Sequence, residues 1–227
     1  MEGGKLAELT PSNFVLGTGE IKGRPVVVGG EDFTIKGGSP STSGFRKSVF
    51  TESLALQLKI PLVRLHEGGG GSVSGGSTEG DGSKRHVLPA GNPVFAPARF
   101  ESVARCLQTV PVASAALGAV AGLPASRLVA SHFSVMTERA AVLTAGPKVV
   151  ARALGHEVTK AELGGPEVHA LSGVVDNIVP DELAAISAIR QFLSYLPQNV
   201  GEPLPTVSSA EHEDSCDRME PALSRLV

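Results

Sequence analysis

Residues 110–136 read VPVASAALGAVAGLPASRLVASHFSVM, and the first charge in that run is Arg127. Three parses compete: a membrane span, a core helix, or a strand that turns sharply into a helix. Pro111 and the later glycines and prolines interrupt the apolar run. Within residues 110–136 Arg127 also falls inside any window long enough to cross a bilayer, which argues against a span. The parse that fits is a strand over residues 112–117, a tight turn through "GAVAG" (residues 118–122), and a helix starting at Leu123 or Pro124. Proline suits the first turn of a helix, because the N–H it lacks would have had no acceptor there. Ala115, Ala116, Ala119, Ala121 and Gly122 are small enough to let that turn pack closely.

Working outward, "NFVLGTGEIKGRPVVVGGEDFTI" holds two short apolar runs around a turn at Gly23, the pattern of a β-hairpin. Residues 45–59, "FRKSVFTESLALQLK", place Phe45, Val49, Leu54 and Leu58 among charges and predict an amphipathic helix. "IPLVRLHE" is a short buried strand. It runs into the Gly/Ser-rich stretch 68–82, which reads as a surface loop except for its first four glycines. Those follow a buried strand directly, where doubly wound α/β folds place ligands. A helix from about Pro97 to Gln108 precedes the opening stretch. After it come short strands in "HFSVM" and "AAVLTAGP", a helix in "PKVVARAL" and a long amphipathic helix in "DELAAISAIRQFLSYLP". Repeated strand–turn–helix units with apolar strands predict an α/β fold with the helices outside. From residue 198 the chain becomes rich in Pro, Ser and acids, so residues 1–197 are expected as one domain and 198–227 as a linker or tail.

Composition narrows the function classes. Charged residues are 19% and hydrophobic ones 41%, the balance of a globular chain. A net charge of −3 gives no electrostatic reason to expect nucleic acid or an anionic membrane as partner. Cys106 and Cys216 are far apart and form no CxxC, which points to a reducing compartment. The start, "MEGGKLAELTPSNF", reads as neither signal nor transit sequence. The expectation is a cytoplasmic protein, with the mitochondrial matrix as the alternative.

No acid, base or nucleophile stands out. There is no GxSxG, P-loop or GxGxxG pattern. His66, His86, His132, His156, His169 and His212 show no metal-ligand spacing, so no metal site is expected. Glu67, Asp81 and Asp176 could act as bases, yet nothing in the sequence pairs them. What the chain does offer is two glycine-rich turns after buried strands, "EGGGGS" and "AVAGLP". Either is a tight corner or a set of backbone N–H donors for an oxyanion.

Several blocks, in order, resemble the carboxyltransferase (β) subunits of acyl-CoA carboxylases of the propionyl-CoA and methylcrotonyl-CoA type. They are "GRPVVVGGEDFTIKGGS", "IPLVRLHEGGGGSV", the opening stretch, "AGPKVVARALGHEVTKAELGGPEVHALSGVVD", "FLSYLP" and "CDRMEPALSRLV". The resemblance implies a crotonase-like (ClpP/crotonase) α/β fold, a spiral of ββα units, here as a single acyl-CoA-binding N-terminal domain. It implies transfer of CO2 from carboxybiotin, on a separate carrier, to the α-carbon of an acyl-CoA through an enolate, the biotin itself supplying the base. The implied oxyanion donors are the N–H groups of Gly122 and Leu123. Gly69, Gly70 and Gly71 would line the acyl-CoA pocket, Phe33, Lys36, Gly37 and Gly38 would lie near the CoA chain, and Gly146 and Pro147 would form a turn over the site.

Family members carry helices before the hairpin and a second, carboxybiotin-binding domain after the linker. The expectation is therefore a component that works with a C-terminal domain, a biotin carrier and a biotin carboxylase. It would join an oligomer through exposed apolar patches. The α-subunit of a biotin-dependent decarboxylase, or a truncated acyl-CoA-binding fragment without turnover, are the alternative readings.

Overall fold

The computed structural model describes residues 11–39, 41–70, 100–206 and 221. Strands β1 (Phe14–Ile21) and β2 (Arg24–Glu31) pair antiparallel. Their two-residue turn has Lys22 and Gly23 at φ 49° and 77°. Positive φ at both central residues matches the right-handed twist of the flanking strands. A single 3-10 turn, Lys36–Gly38, follows, with all three residues at positive φ. Helix α1 (Thr42–Leu58) starts three residues earlier than the apolar pattern predicts, because the Ser41 hydroxyl accepts from the Gly44 N–H, 3.0 Å away, and caps it. It delivers the chain to β3 (Leu62–Gly68), parallel to β2.

Helix α2 (Glu101–Thr109) leads into β4 (Val112–Ala121) and α3 (Leu123–Val129). The predicted start of α2 near residue 97 lies outside the described residues. The strand prediction was four residues short. β4 runs on through "GAVA", and the turn into α3 is Gly122 alone, at φ 65° and ψ −125°. The extra length has a cause on its edge. The first half of β4 (Ala113 to Ala116) pairs with β5 (Phe133–Thr137). Its second half (Ala119 to Ala121) pairs with β6 (Ala141–Leu143), so the ladder continues where a turn was expected.

The remaining elements are α4 (Pro147–Leu154), α5 (Lys160–Gly164), α6 (Pro166–Ser172), β7 (Asn177–Val179) and α7 (Glu182–Ser194). α5, α6 and β7 go beyond the sequence reading. A capping box nucleates α5, with the Thr159 hydroxyl and the Glu162 carboxylate each bonded to the other's backbone N–H. The Thr159 hydroxyl, which also donates to the Glu162 carboxylate at 2.7 Å, and then the Thr159 N–H hold that exposed carboxyl below its ordinary range.

The strands form one sheet in the order β1-β2-β3-β4-β5-β7, with β6 also on β4, and every pairing but the first is parallel. Ile189 and Leu193 of α7 pack on Val26, Val63, Ala113 and Val135 on one face. On the other, Ala125 and Leu128 of α3 pack on Ala116, Val120 and Met136. Each fully buried Val, Leu, Ile or Met side chain here contributes about 1.5–3 kcal/mol of burial. The expected tail does not leave at once: Val200 N–H bonds Thr109 O at 3.0 Å and Asn199 Nδ2 bonds Lys59 O at 3.0 Å. Among the described residues no helix is long and apolar enough to cross a membrane.

Candidate functional site

Three glycine-bearing turns meet at the ends of β3 and β4. The Gly69 N–H bonds Gly37 O at 2.9 Å, tying the loop after β3 to the 3-10 turn. A Cβ on Gly38, which has φ 65°, would lie 2.7 Å from Gly68 Cα and closer still to Glu67 O. One on Gly70, at φ 72°, would lie 2.7 Å from Ala121 O and 3.4 Å from Gly122 N. Only glycine allows both the backbone conformation and the approach at these positions. The structure thus brings Gly37, Gly38, Gly69, Gly70, Gly122 and Leu123 to one place.

One predicted donor is occupied. The Gly122 N–H bonds Leu143 O at 3.2 Å, one step beyond the Ala121–Leu143 pair, so the β4–β6 ladder consumes it. The expectation of two free amides at Gly122 and Leu123 is corrected to one. Leu123 is the first residue of α3, where an N–H has no intrahelical acceptor, and it has none elsewhere among the described residues. Beside it is a crevice of about 20 Å³, lined by Gly38, Leu123, Pro124, Glu31 and Arg127 among others. That is room for a water molecule.

The other predicted residues lie further out. Phe33 is exposed, with its ring 3.9 Å from where a Cβ on Gly37 would stand, and Lys36 is exposed at φ 55°. Gly146 and Pro147 open α4 three residues past Leu143. Among the described residues nothing lies within 4 Å of a Cβ on Gly146, and α4 buries none of its residues. Gly71 lies outside the described residues, as do Asp81, His86 and His212.

The histidines and acids take structural roles. His132 Nδ1 accepts from the Val112 N–H at 3.0 Å, and His169 Nε2 lies 3.0 Å from Val142 O. Asp176 accepts from both the N–H and the hydroxyl of Ser134, at 2.7 and 3.0 Å. Sequence reasoning missed the buried charges. Glu52, Arg64 and Arg127 are 1%, 4% and 4% exposed and bonded to one another. His66 Nδ1 lies 3.0 Å from Glu31 Oε2, also buried. Burial pushes the Glu31 carboxyl up, but the His66 charge and hydrogen bond, with Arg127 further off, outweigh it and hold the group below the usual glutamate range. The available signal was position: Arg64 interrupts an apolar strand, and Glu52 falls in register with Phe45 and Val49 on the buried stripe of α1.

The carboxyl transferase domain model matches residues 4–226. The methylmalonyl-CoA carboxyltransferase 12S subunit of Propionibacterium freudenreichii subsp. shermanii is 33% identical over 194 residues, 85% of this chain and 34% of that protein. A transcarboxylase 12S crystal structure with methylmalonyl-CoA and methylmalonic acid bound superposes with a TM-score of 0.72 at 29% identity. It covers 86% of this chain and 36% of the other. The mitochondrial propionyl-CoA carboxylase beta chain of Homo sapiens is 30% identical over 221 residues (95% and 37%). The methylmalonyl-CoA decarboxylase subunit alpha of Veillonella parvula is 29% identical over 206 residues (90% and 38%). The chain spans a little over a third of the length of these relatives. Its α/β sheet is the crotonase-like fold of these carboxyltransferases, and the chain belongs to the carboxyl transferase domain family.

Proposed function

We propose that this chain is the acyl-CoA-binding half of a carboxyltransferase in a biotin-dependent acyl-CoA carboxylase. The observation that carries the proposal is the Leu123 N–H. Among the described residues it is a donor without an acceptor, at the start of α3 and beside loops whose glycines let a ligand reach the backbone. A thioester oxygen placed there gains charge as the α-proton leaves, and a fixed donor stabilises that charge without reorganising. Gly69 and Gly70 would flank the bound thioester, and the exposed Phe33 and Lys36 would meet the CoA chain beyond it. Biotin, borne on a separate carrier, would supply the carboxyl group. The crevice of about 20 Å³ beside Leu123 is too small for its ring among the described residues. This chain's residues hold the acyl-CoA and its developing oxyanion.

Exposed apolar side chains, Val149 and Leu154 of α4 and Leu171 of α6, support a partner that covers this side in the working enzyme. A second reading is the α-subunit of a biotin-dependent decarboxylase, which the likeness to the Veillonella protein favours.

Isothermal titration of the folded chain with propionyl-CoA, acetyl-CoA and methylcrotonyl-CoA tests the proposal. Saturable binding of at least one is expected, and no binding of any would overturn it. Adding a carboxybiotin-binding domain of the family and a carboxylated carrier then separates carboxylation from decarboxylation.

A further inference from the structure

We infer that Glu52 is a positioning residue: its single carboxylate fixes α3, and with it the Leu123 amide, relative to the β3 glycine loop. The inference rests on the acyl-CoA reading for its functional consequence, though not for its geometry. Glu52 Oε1 accepts from Arg64 Nη2 at 3.0 Å and from Arg127 Nε at 2.9 Å, and Oε2 accepts from the Ser102 hydroxyl. One side chain therefore joins α1, β3, α3 and α2. Arg64 reaches further and donates from Nη1 to Arg127 O at 3.2 Å and Ala130 O at 3.0 Å, the carbonyls that end α3. The helix is gripped by a side chain and by its backbone, both through groups that meet at Glu52.

Two physical points separate placement from mere stability. A buried ion triad is a poor way to stabilise a core, because desolvation offsets most of the attraction and apolar replacements are often neutral or better. A planar guanidinium, by contrast, fixes direction. α3 needs that direction from outside. It has seven residues and a cap at φ 65°, too short to hold its own axis. Arg127 lies four residues, about 6 Å of helix rise, from Leu123. A tilt of about 10° pivoting at Arg127 would carry the Leu123 amide roughly 1 Å, enough to spoil a reacting geometry.

The test compares the chain with Glu52→Gln and with a triple variant, Glu52→Met/Arg64→Met/Arg127→Met, in which the charges leave together. Amide hydrogen exchange is followed over residues 122–130 and 65–70, with α7, on the far face of the sheet, as reference. Melting temperature and propionyl-CoA affinity are measured alongside. In Glu52→Gln, exchange over α3 is expected to rise by about tenfold or more while α7 is unchanged. If that variant does not fold, the triple variant carries the test. The triple variant is expected to melt near the parent yet to keep fast exchange over α3 and to bind propionyl-CoA about tenfold more weakly. Parent-like exchange over α3 in the triple variant, or recovery of both melting temperature and affinity, would overturn the inference. If the parent itself binds no acyl-CoA, the functional reading fails and the exchange comparison alone decides the positioning role.

Discussion

Replacing Gly38 with alanine tests the packing on which the site depends. The new Cβ would stand 2.7 Å from Gly68 Cα and nearer still to Glu67 O, and both neighbours are main chain. No side chain can swing away, so the 3-10 turn and the loop after β3 must separate. Two costs add: about 1 kcal/mol for a Cβ at φ 65°, and about 1–3 kcal/mol for overpacking. Gly173→Ala isolates the first. Gly173 follows α6 at φ 66° with nothing within 4 Å of a Cβ. The difference between the two variants, about 1–3 kcal/mol, measures the loop contact. At about 2–4 °C per kcal/mol for a chain of this size, Gly38→Ala is expected to melt roughly 2–12 °C below Gly173→Ala. Calorimetry on both, with urea melts to check for two-state behaviour, gives the comparison. Equal melting temperatures would refute the argument that these loops are held in backbone contact.

Leu123→Pro deletes one N–H at a position where a helix accepts proline. In a reconstituted carboxyltransferase it is expected to lower turnover about 10²–10³-fold with little change in melting temperature, and an unchanged rate would remove the donor role. Glu31 has a folded pKa below its unfolded one, so its contribution to stability is present above the ordinary glutamate range and lost as pH falls through the lower folded value. Melting curves of the parent and Glu31→Gln, taken from about pH 6 down to about pH 2.5, should therefore converge toward acid; parallel curves would contradict the pairing with His66. Burial pushes the Cys106 thiol up to about 12, although Arg64 opposes it, and the residue is fully enclosed. Iodoacetamide at pH 8 should label Cys106 only after unfolding, and mass spectrometry showing labelling in the native chain would contradict its burial.

The fold was legible where a local pattern repeats: the Gly23 hairpin, the apolar stripe of α1, the run of β3 and the small-residue strand of β4. It was illegible where tertiary pairing decides the outcome. Nothing local tells β4 to continue past Leu117; β6, twenty residues on, does so by offering Ala141–Leu143 as a partner. The same pairing takes up the Gly122 N–H, which is why a two-donor site read from the turn alone reduces to one donor. The T-x-x-E of Thr159 and Glu162 was a visible capping signal, but α5 has only five residues and little periodicity. Glu52, Arg64 and Arg127 were each readable as a charge in an apolar register. Their convergence on one carboxylate needs α1, β3 and α3 to be packed first.

The handover along one edge of β4, from β5 to β6, makes that strand a gauge for both halves of the domain. One residue inserted at Leu117 or Gly118 would turn Ala119, Val120 and Ala121 over, detach β6 from its neighbour and swing the start of α3 away from the glycine loops. Added length can be absorbed at the solvent-facing Lys22–Gly23 bend, where it disturbs only the end of a ladder. In β4 a single extra amino acid would pull apart the face where the glycine turns meet while leaving the hairpin and α7 intact.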